Sequence, residues 1–446
     1  MWVLQEYKKA YLQEVTDQIR NRRGKRLAEE ELCGHIEDQT EAYIREGMTP
    51  EAAEAEAVRQ MGDPVSVGLE LDHLYRPKPD WKLMALTAVL LLLGLLVQYG
   101  VSGSSAWFTR QLIETQIGIA VMVAAYFVDY TVVGKHSLWM WGGLTLLIGA
   151  EIVSQGMLFG SFRNGQYFVY PLLMLFVPLF AGVLYRMKGW GAGGVLLCEG
   201  IAAIAVFLAI LSGSMTSVLE LAAVFFCMLV WAVCRGWFRE RRGKCLGMLL
   251  GSEAVIFGGF LLKALLSSGY RQQRILAAFH PEQFSESTGY QAVYARKLLA
   301  GVQLFGAGAT GDLTAGDLNF ADQGLLYVMV KYGLVAGLVI VALLVFLLAR
   351  MFVVAFRQKN QLGSLLIFGT ACLFFSETVI YLLYHMGFML IMPKYLPFFS
   401  RAGWGIVSMC LLMGLVLSVF RNTNLVKEAP EKPRQRYRLR IEKIVE

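Results

Sequence analysis

Glu377, Tyr381 and His385 are spaced four apart, so on a helix they share one face. The run around them, LLIFGTACLFFSETVIYLLYHMGFML, is otherwise apolar. A charge at bilayer depth is costly and survives where it is paired or faces a cavity. Glu151, Glu199, Glu220, Glu253 and Lys331 raise the same question, since each lies in or near an apolar run of spanning length. Lys331 is expected to pair with Glu377 or another of these carboxylates. Such a polar layer is either a hydrophilic cavity or a structural ion network, and the residues alone leave both open. The other chemistry-bearing residues gather in the long segment 267–323, which holds Arg274, Glu282, Glu286, Arg296, Lys297 and Asp322; Arg401 follows later. Arginine suits bidentate contact with phosphate. On extended backbone, Glu282 and Glu286 would point away from Phe284 onto one shared face. The alternative is that they are solvated loop charges.

Other chemistries find less support. The glycines of GAGATGD, Gly306 to Asp312, are not followed by the Lys-Ser/Thr of a phosphate loop, so they read as a tight turn. Asp322, in FADQG, suits the N-terminus of the helix after it, where negative charge is favoured. The seven cysteines show no Cys-x-x-Cys spacing, and Cys198, Cys227, Cys372 and Cys410 lie inside apolar runs. They read as small core residues, with neither metal nor disulfide expected. His35 reads as a surface helix residue.

The elements that must position these residues are membrane helices. The chain of 446 residues is 56% hydrophobic with a mean hydropathy of +0.51. Residues 1–80 carry 17 acidic and 11 basic side chains, whereas the remainder carries 17 acidic and 30 basic. This contrast predicts an acidic, cytoplasmic helical domain of about 80 residues on a basic membrane domain, 81–421, with a basic tail, 422–446. The excess positive charge reads as anchoring at anionic lipid, and no nucleic acid is expected. In the first part, Leu32, Ile36, Tyr43 and Ile44 fall near one helical face. Gly47 ends that helix, and Thr49 with Pro50 opens the next. Ten spans then follow, at about 83–100, 113–133, 137–156, 167–186, 192–211, 215–234, 245–266, 324–349, 362–390 and 402–420. With the N-terminus inside, the short inner loops hold eleven Lys and Arg and the short outer loops four. Both termini are therefore expected in the cytoplasm, with loop 267–323 outside. The fold class is all-α and polytopic.

Three stretches together resemble one family, the SEDS proteins (FtsW, RodA, SpoVE). RILAAFHPEQFSESTGYQAVYARKLLAG, Arg274 to Gly301, resembles that family's Arg…Phe-x-Pro…Gly-Tyr-Gln pattern. LFGAGATGDLTAGDLNFADQGLLYVMVKYGLVAG, Leu304 to Gly337, resembles its glycine-rich turn and Thr-Asp motif before the eighth helix. LPFFSRAGWG, Leu396 to Gly405, resembles its Leu-Pro-Phe-x-Ser-Tyr-Gly-Gly signature. The order, spacing and topology of the three carry the likeness, over about residues 83–420. The N-terminal stretch EELCGHIEDQTEAYIREGMTPEAAEAEAVRQMGDP resembles the permease prefix domain, which implies regulation or partner binding.

The resemblance implies a bacterial cell-membrane protein of peptidoglycan synthesis, cell division or cell shape. It implies a lipid-linked precursor as ligand, a class B penicillin-binding protein as partner, and no cofactor beyond a divalent cation accompanying a lipid pyrophosphate. Family members that polymerise glycan use an outer-loop carboxylate, suited to take the proton of an acceptor sugar's 4-hydroxyl. Here the matching position is Phe284, so Glu282 and Glu286 become the candidate bases. Arg274, Arg296, Lys297 and Arg401 become candidates for the diphosphate, with Arg401 standing where the family has Tyr. Two further departures stand out. In YPLLMLF, Leu173 and Phe176 replace the family's Glu and Lys, and Val330 and Lys331 replace its paired Glu. Glu377, Tyr381 and His385 fall where the family has a Gln and two Asn, which turns that face inward beside LPFFSRAG, expected to form an outer re-entrant segment walling a central cavity. A non-catalytic relative that binds a precursor or division partner, and a lipid-precursor transporter, remain as alternative readings.

Overall fold

The structure is a computed structural model that describes residues 2–77, 79–102, 105–159, 166–266, 276–287, 289–307, 323–387 and 394–423. Arg274 and Asp322 lie outside the described residues. Two compact units form, and the described part of the first ends at Arg76 while the second runs from Pro77 to Thr423.

The first unit is four helices: α1 (Trp2–Gln18), α2 (Arg22–Arg45), α3 (Pro50–Gln60) and α4 (Pro64–Tyr75). Each helix start after the first has a polar cap: Asn21 for α2, Thr49 before Pro50 for α3, and Asp63 before Pro64 for α4. Val15, Ile19, Ala28, Ile36, Ala53 and Ala57 form the core. At Gly68 a Cβ would lie 2.7 Å from the Val15 carbonyl oxygen, so only glycine lets α4 approach α1 this closely. The expected apolar face of α2 is narrower than the sequence suggests: Leu32 and Ile36 are buried, but Ile44 is exposed. Eight residues at about 100° each carry Ile44 roughly 80° off the Ile36 direction.

The second unit is a helical membrane domain. Its helices are α5 (Trp81–Ser102), α6 (Ala106–Phe127), α7 (Thr131–Phe159), α8 (Gln166–Met174), α9 (Phe176–Arg186), α10 (Ala192–Leu211), α11 (Met215–Cys234), α12 (Arg242–Leu266), α13 (Tyr290–Ala300), α14 (Gly324–Tyr332), α15 (Leu334–Arg357), α16 (Gln361–His385) and α17 (Trp404–Arg421). Among the described residues, eight spans are long and apolar enough to cross a membrane, with α8 and α9 counted together. Helices α6 and α12 have comparable lengths but carry Arg110 and Glu114, or Arg242, Lys244 and Glu253. Together these make up the ten expected segments of a multi-pass membrane protein.

Polar caps, rather than the edges of hydropathy, set several boundaries. Ser105 caps α6 and Asp129 accepts from the Thr131 N–H, which moves the second span to Ala106–Phe127 instead of 113–133. Two expected spans are broken. Pro178 would face the Met174 carbonyl four residues back, and the fourth span divides at Leu175 between α8 and α9. The eighth divides at Gly333, whose φ of +99° and ψ of 165° suit glycine.

The stretch from Lys394 to Gly403 is irregular and largely buried by protein. Leu396, Phe398, Phe399, Ser400 and Ala402 are buried. The Ser400 hydroxyl accepts from the Leu396 N–H at 2.7 Å, and the Phe399 and Ser400 N–H groups donate to the Leu396 carbonyl at 3.1 Å. Phe398 has φ +60° and sets its ring edge-on to Phe374 at 5.3 Å. A Cβ at Gly94 of α5 would lie 2.6 Å from the Phe399 carbonyl oxygen. Backbone without helical bonds thus survives here by packing and local bonds.

Candidate functional site

The outer-loop candidates sit on a small folded platform. Pro281–Phe284 forms one 3-10 turn, so Glu282 and Glu286 are not on extended backbone, and the shared face expected from alternation does not form. Proline at the turn's first position fixes φ and favours that geometry. Gly289 closes the turn: its N–H donates to the Phe284 carbonyl at 2.9 Å, and a Cβ there would lie 2.4 Å from the Pro281 carbonyl oxygen. Helix α13 then lays Ala292, Ala295 and Leu298 on Leu326 and Val330 of α14 and Tyr384 of α16. Val330, one of the positions where the resemblance led to a charge being expected, is therefore part of an apolar seam.

Within this platform the structure brings Glu282 and Arg296 together. The Arg296 guanidinium donates to Glu282 Oε1 at 2.8 Å and to the Gly387 carbonyl at 3.4 Å. Gly387, with φ +92°, leaves the space that Arg296 fills: a Cβ there would be 2.5 Å from Arg296 Nε. Glu286 and Lys297 are exposed, and Phe284 is half-buried. Arg401 is placed elsewhere, its guanidinium 4.5 Å from the centroid of Trp107 in a cation–π contact. A groove of about 510 Å³ runs nearby along Thr109, Arg110, Ile113, Glu114 and Trp404, with Arg110 donating to Glu114 at 2.9 Å.

The intramembrane candidates divide. Lys331 does not meet Glu377. It is exposed and donates to Tyr327 Oη at 2.7 Å, because Val330 takes the buried face of α14. Glu377, Tyr381 and His385 are all buried along α16. The His385 ring stacks on Tyr381 at 4.0 Å, and its Nδ1–H donates to the Tyr381 carbonyl at 2.7 Å. Among the described residues, His385 Nε2 is buried without a hydrogen-bond partner.

Glu377 instead meets α8 and α11. The Tyr170 hydroxyl lies 2.7 Å from Glu220 Oε2 and 2.8 Å from Glu377 Oε1. The Ser376 hydroxyl lies 3.0 Å from Glu220 Oε1 and 2.8 Å from the Leu373 carbonyl. Lys394, from the irregular stretch, sits 5.3 Å from the Tyr170 ring centroid, and Tyr395 packs on the same ring at 5.4 Å. Burial pushes the Lys394 ammonium below its ordinary value, while the Glu220 charge opposes that shift. Leu173 and Phe176, where the family pattern has Glu and Lys, are fully buried among apolar neighbours. Sequence reasoning singled out Glu220 and Glu377 but missed Tyr170 and Lys394. The available signal was Tyr-Pro at the place of the family's Gln-Pro. Among the described residues no group of three or more His, Cys, Asp or Glu could hold a metal ion.

The family model described as "Cell cycle protein", FtsW/RodA/SpoVE, matches residues 81–425. The chain is 24% identical over 397 residues to a "Probable peptidoglycan glycosyltransferase FtsW" of Enterococcus hirae, covering 82% of this chain and 97% of the relative. It is 27% identical over 233 residues to a protein of the same name from Trichlorobacter lovleyi, covering 50% and 58% respectively. A solved chain titled "Structural coordination of polymerization and crosslinking by a peptidoglycan synthase complex" superimposes with a TM-score of 0.60 at 18% identity, over 77% of this chain and 98% of that one. The rod shape determining protein RodA of Thermus thermophilus superimposes with a TM-score of 0.54 at 17% identity, over 77% and 97%. At these identities the structural likeness establishes the fold.

Proposed function

The chain belongs to the FtsW/RodA/SpoVE family of cell cycle proteins, and from that premise we propose that it polymerises glycan from a lipid-linked peptidoglycan precursor at the bacterial cell membrane. The observation that carries the reading is the Glu282–Arg296 pair on the folded outer platform. A transfer of this class needs a carboxylate to take the acceptor's 4-hydroxyl proton and a cation for the departing lipid pyrophosphate. As that hydroxyl attacks the anomeric carbon, the bond to pyrophosphate breaks and the proton passes to Glu282. Arg296 meets the leaving diphosphate, with Lys297 and Arg274 as further cations of the same segment. Glu286 is the second candidate base, and any divalent cation enters with the diphosphate as part of the substrate. The excess of basic residues in the short inner loops supports cytoplasmic termini and an outer platform. A class B penicillin-binding protein is the proposed crosslinking partner, in keeping with the synthase complex named by the structural neighbour. Residues 1–76 serve as a regulatory or partner-binding module.

A second reading has its own observation. Phe284, Leu173 and Phe176 occupy positions where the family resemblance leads to charge being expected, and the last two are fully buried. That favours a relative that binds the precursor or a division partner without turning it over. The deciding assay is glycan polymerisation from purified lipid II by the full-length protein in detergent, with and without co-purified partners. Polymer from wild type, abolished in Glu282→Gln, supports a base at Glu282. Polymer from both variants, Glu282→Gln and Glu286→Gln, keeps the enzyme and discards these bases. Absence of polymer with lipid II still bound selects the second reading.

A further inference from the structure

The buried chain Glu377–Tyr170–Glu220–Ser376 has more short oxygen–oxygen contacts than its hydroxyls can satisfy. Tyr170 carries one hydrogen, yet carboxyl oxygens lie 2.7 Å and 2.8 Å from its oxygen. A phenol can donate to one of them and must accept from the other. With both carboxyls ionised, one of these contacts would set oxygen lone pairs against each other in a buried site. The charge count agrees. Among the described residues, Lys394 is the one cation set beside this chain, and it acts on Glu220. Of two buried carboxyls, one is thus compensated and the other is not, and an uncompensated buried charge is expensive. The groups facing the site are Tyr170 from α8, Glu220 from α11, Ser376 and Glu377 from α16 with Tyr381 one turn on, and Lys394 and Tyr395 from the irregular stretch.

We infer that Glu377 is held as a carboxylic acid, which makes Glu377–Tyr170–Glu220 a proton-binding site in the membrane domain with one proton per chain. In this arrangement Glu377 Oε1–H donates to Tyr170, and Tyr170 O–H donates to Glu220 Oε2. The Ser376 hydroxyl is shared between Glu220 Oε1 and the Leu373 carbonyl, and Lys394 neutralises Glu220. Every contact then has its hydrogen. Glu377 Oε2, buried without a partner among the described residues, becomes the uncharged carbonyl oxygen of the acid, the form in which an unpartnered oxygen costs least. The site is separate from the outer platform and from the transfer step assigned to it. Its ligand is a proton, and its hydrogen-bond chain links α8, α11 and α16, with Lys394 of the irregular stretch set beside it over the Tyr170 ring.

Infrared spectroscopy of the full-length protein in detergent tests this directly. Wild type at pH 7 is expected to show a buried carboxylic-acid C=O absorption that Glu377→Gln lacks. Lys394→Met is expected to about double it, since Glu220 then has no compensating cation. Tyr170→Phe is expected to keep the band but move it to higher frequency, because the acid loses its hydrogen-bond acceptor. Raising the pH should bleach the wild-type band as carboxylate bands grow. An acid band that persists in Glu377→Gln would place the proton on Glu220 and overturn the assignment. Identical spectra for wild type and Lys394→Met would overturn the charge count. Those readouts from Lys394→Met and Tyr170→Phe stand even where Glu377→Gln fails to fold.

Discussion

Two groups of carboxylates in this protein have opposite surroundings. Glu282 and Arg296 meet at 2.8 Å with the carboxylate two-thirds exposed, at 67%. Glu220 and Glu377 are almost wholly buried and share one phenol, with Lys394 as the nearby cation. Water screens the first pair and solvates whatever breaks away from it, so it contributes little to stability and stays accessible to a ligand. Burial removes most solvent screening in the second setting, so partner choice and proton count decide whether the core holds together. A carboxylate suited to chemistry is therefore found on the platform, and one suited to holding helices together is found in the core.

The sharpest way to break this comparison is at Glu282. Glu282→Gln is expected to lower the rate of lipid II polymerisation by about 10²–10⁴-fold, the usual range for a lost general base. Its melting temperature should hardly move, because an exposed ion pair is worth roughly 0–1 kcal/mol. A large loss of stability with activity retained would invert the assignment of the two regions. Glu220→Ala should behave oppositely, costing about 3–5 kcal/mol by leaving Lys394 and Tyr170 without their partner, read as a lower unfolding midpoint in detergent. Gly333→Ala comes next. Its φ of +99° and a Cβ placed 2.6 Å from the Leu304 carbonyl oxygen predict a cost of about 1–3 kcal/mol. Faster hydrogen exchange at residues 303–306 is the readout. The smallest effect belongs to the first unit. The Arg20 N–H donates to Asp72 at 2.8 Å, and that bond holds the Asp72 carboxyl below the usual carboxylate range. A depressed folded value adds stability at neutral pH that is lost as pH falls through that value. Asp72→Asn should remove about 1 kcal/mol of that stability and flatten the acid dependence of exchange in α1 and α4.

The fold was largely legible because spanning helices announce themselves by length and apolarity, and because Thr49 before Pro50 marks a helix start in a recognisable way, whereas the caps at Asn21, Asp63 and Ser105 were not read from the sequence. The breaks were harder. Pro178 and Gly333 lie inside continuous apolar runs, where hydropathy carries no signal of a divided helix. The candidate site was legible as residue types and not as partnerships. Four-residue spacing placed Glu377, Tyr381 and His385 on one buried face. It could not say that Glu377 would meet Tyr170, 207 residues earlier. Lys331 was misassigned because sequence marks a charge within an apolar run but not which side of the helix faces the interior. For Glu282 and Glu286 both a shared face on extended backbone and solvated loop charges stayed open, because nothing local distinguished an extended segment from the 3-10 turn that begins at Pro281.

Gly333 also bears on the order in which the protein assembles. At the break, the Gly306 N–H donates to the Tyr332 carbonyl at 3.1 Å, the Leu334 N–H to Gln303 at 2.9 Å, and the Val335 N–H to Leu304 at 3.2 Å. The irregular segment 303–306 therefore bonds to backbone groups that leave the ribosome after it does. Until α14 and α15 are both in place and bent at Gly333, those donors and acceptors have nowhere to go. Closing that contact costs loop entropy that local helix formation does not. The topology therefore predicts that the 303–306 contact closes after α14 and α15 have formed.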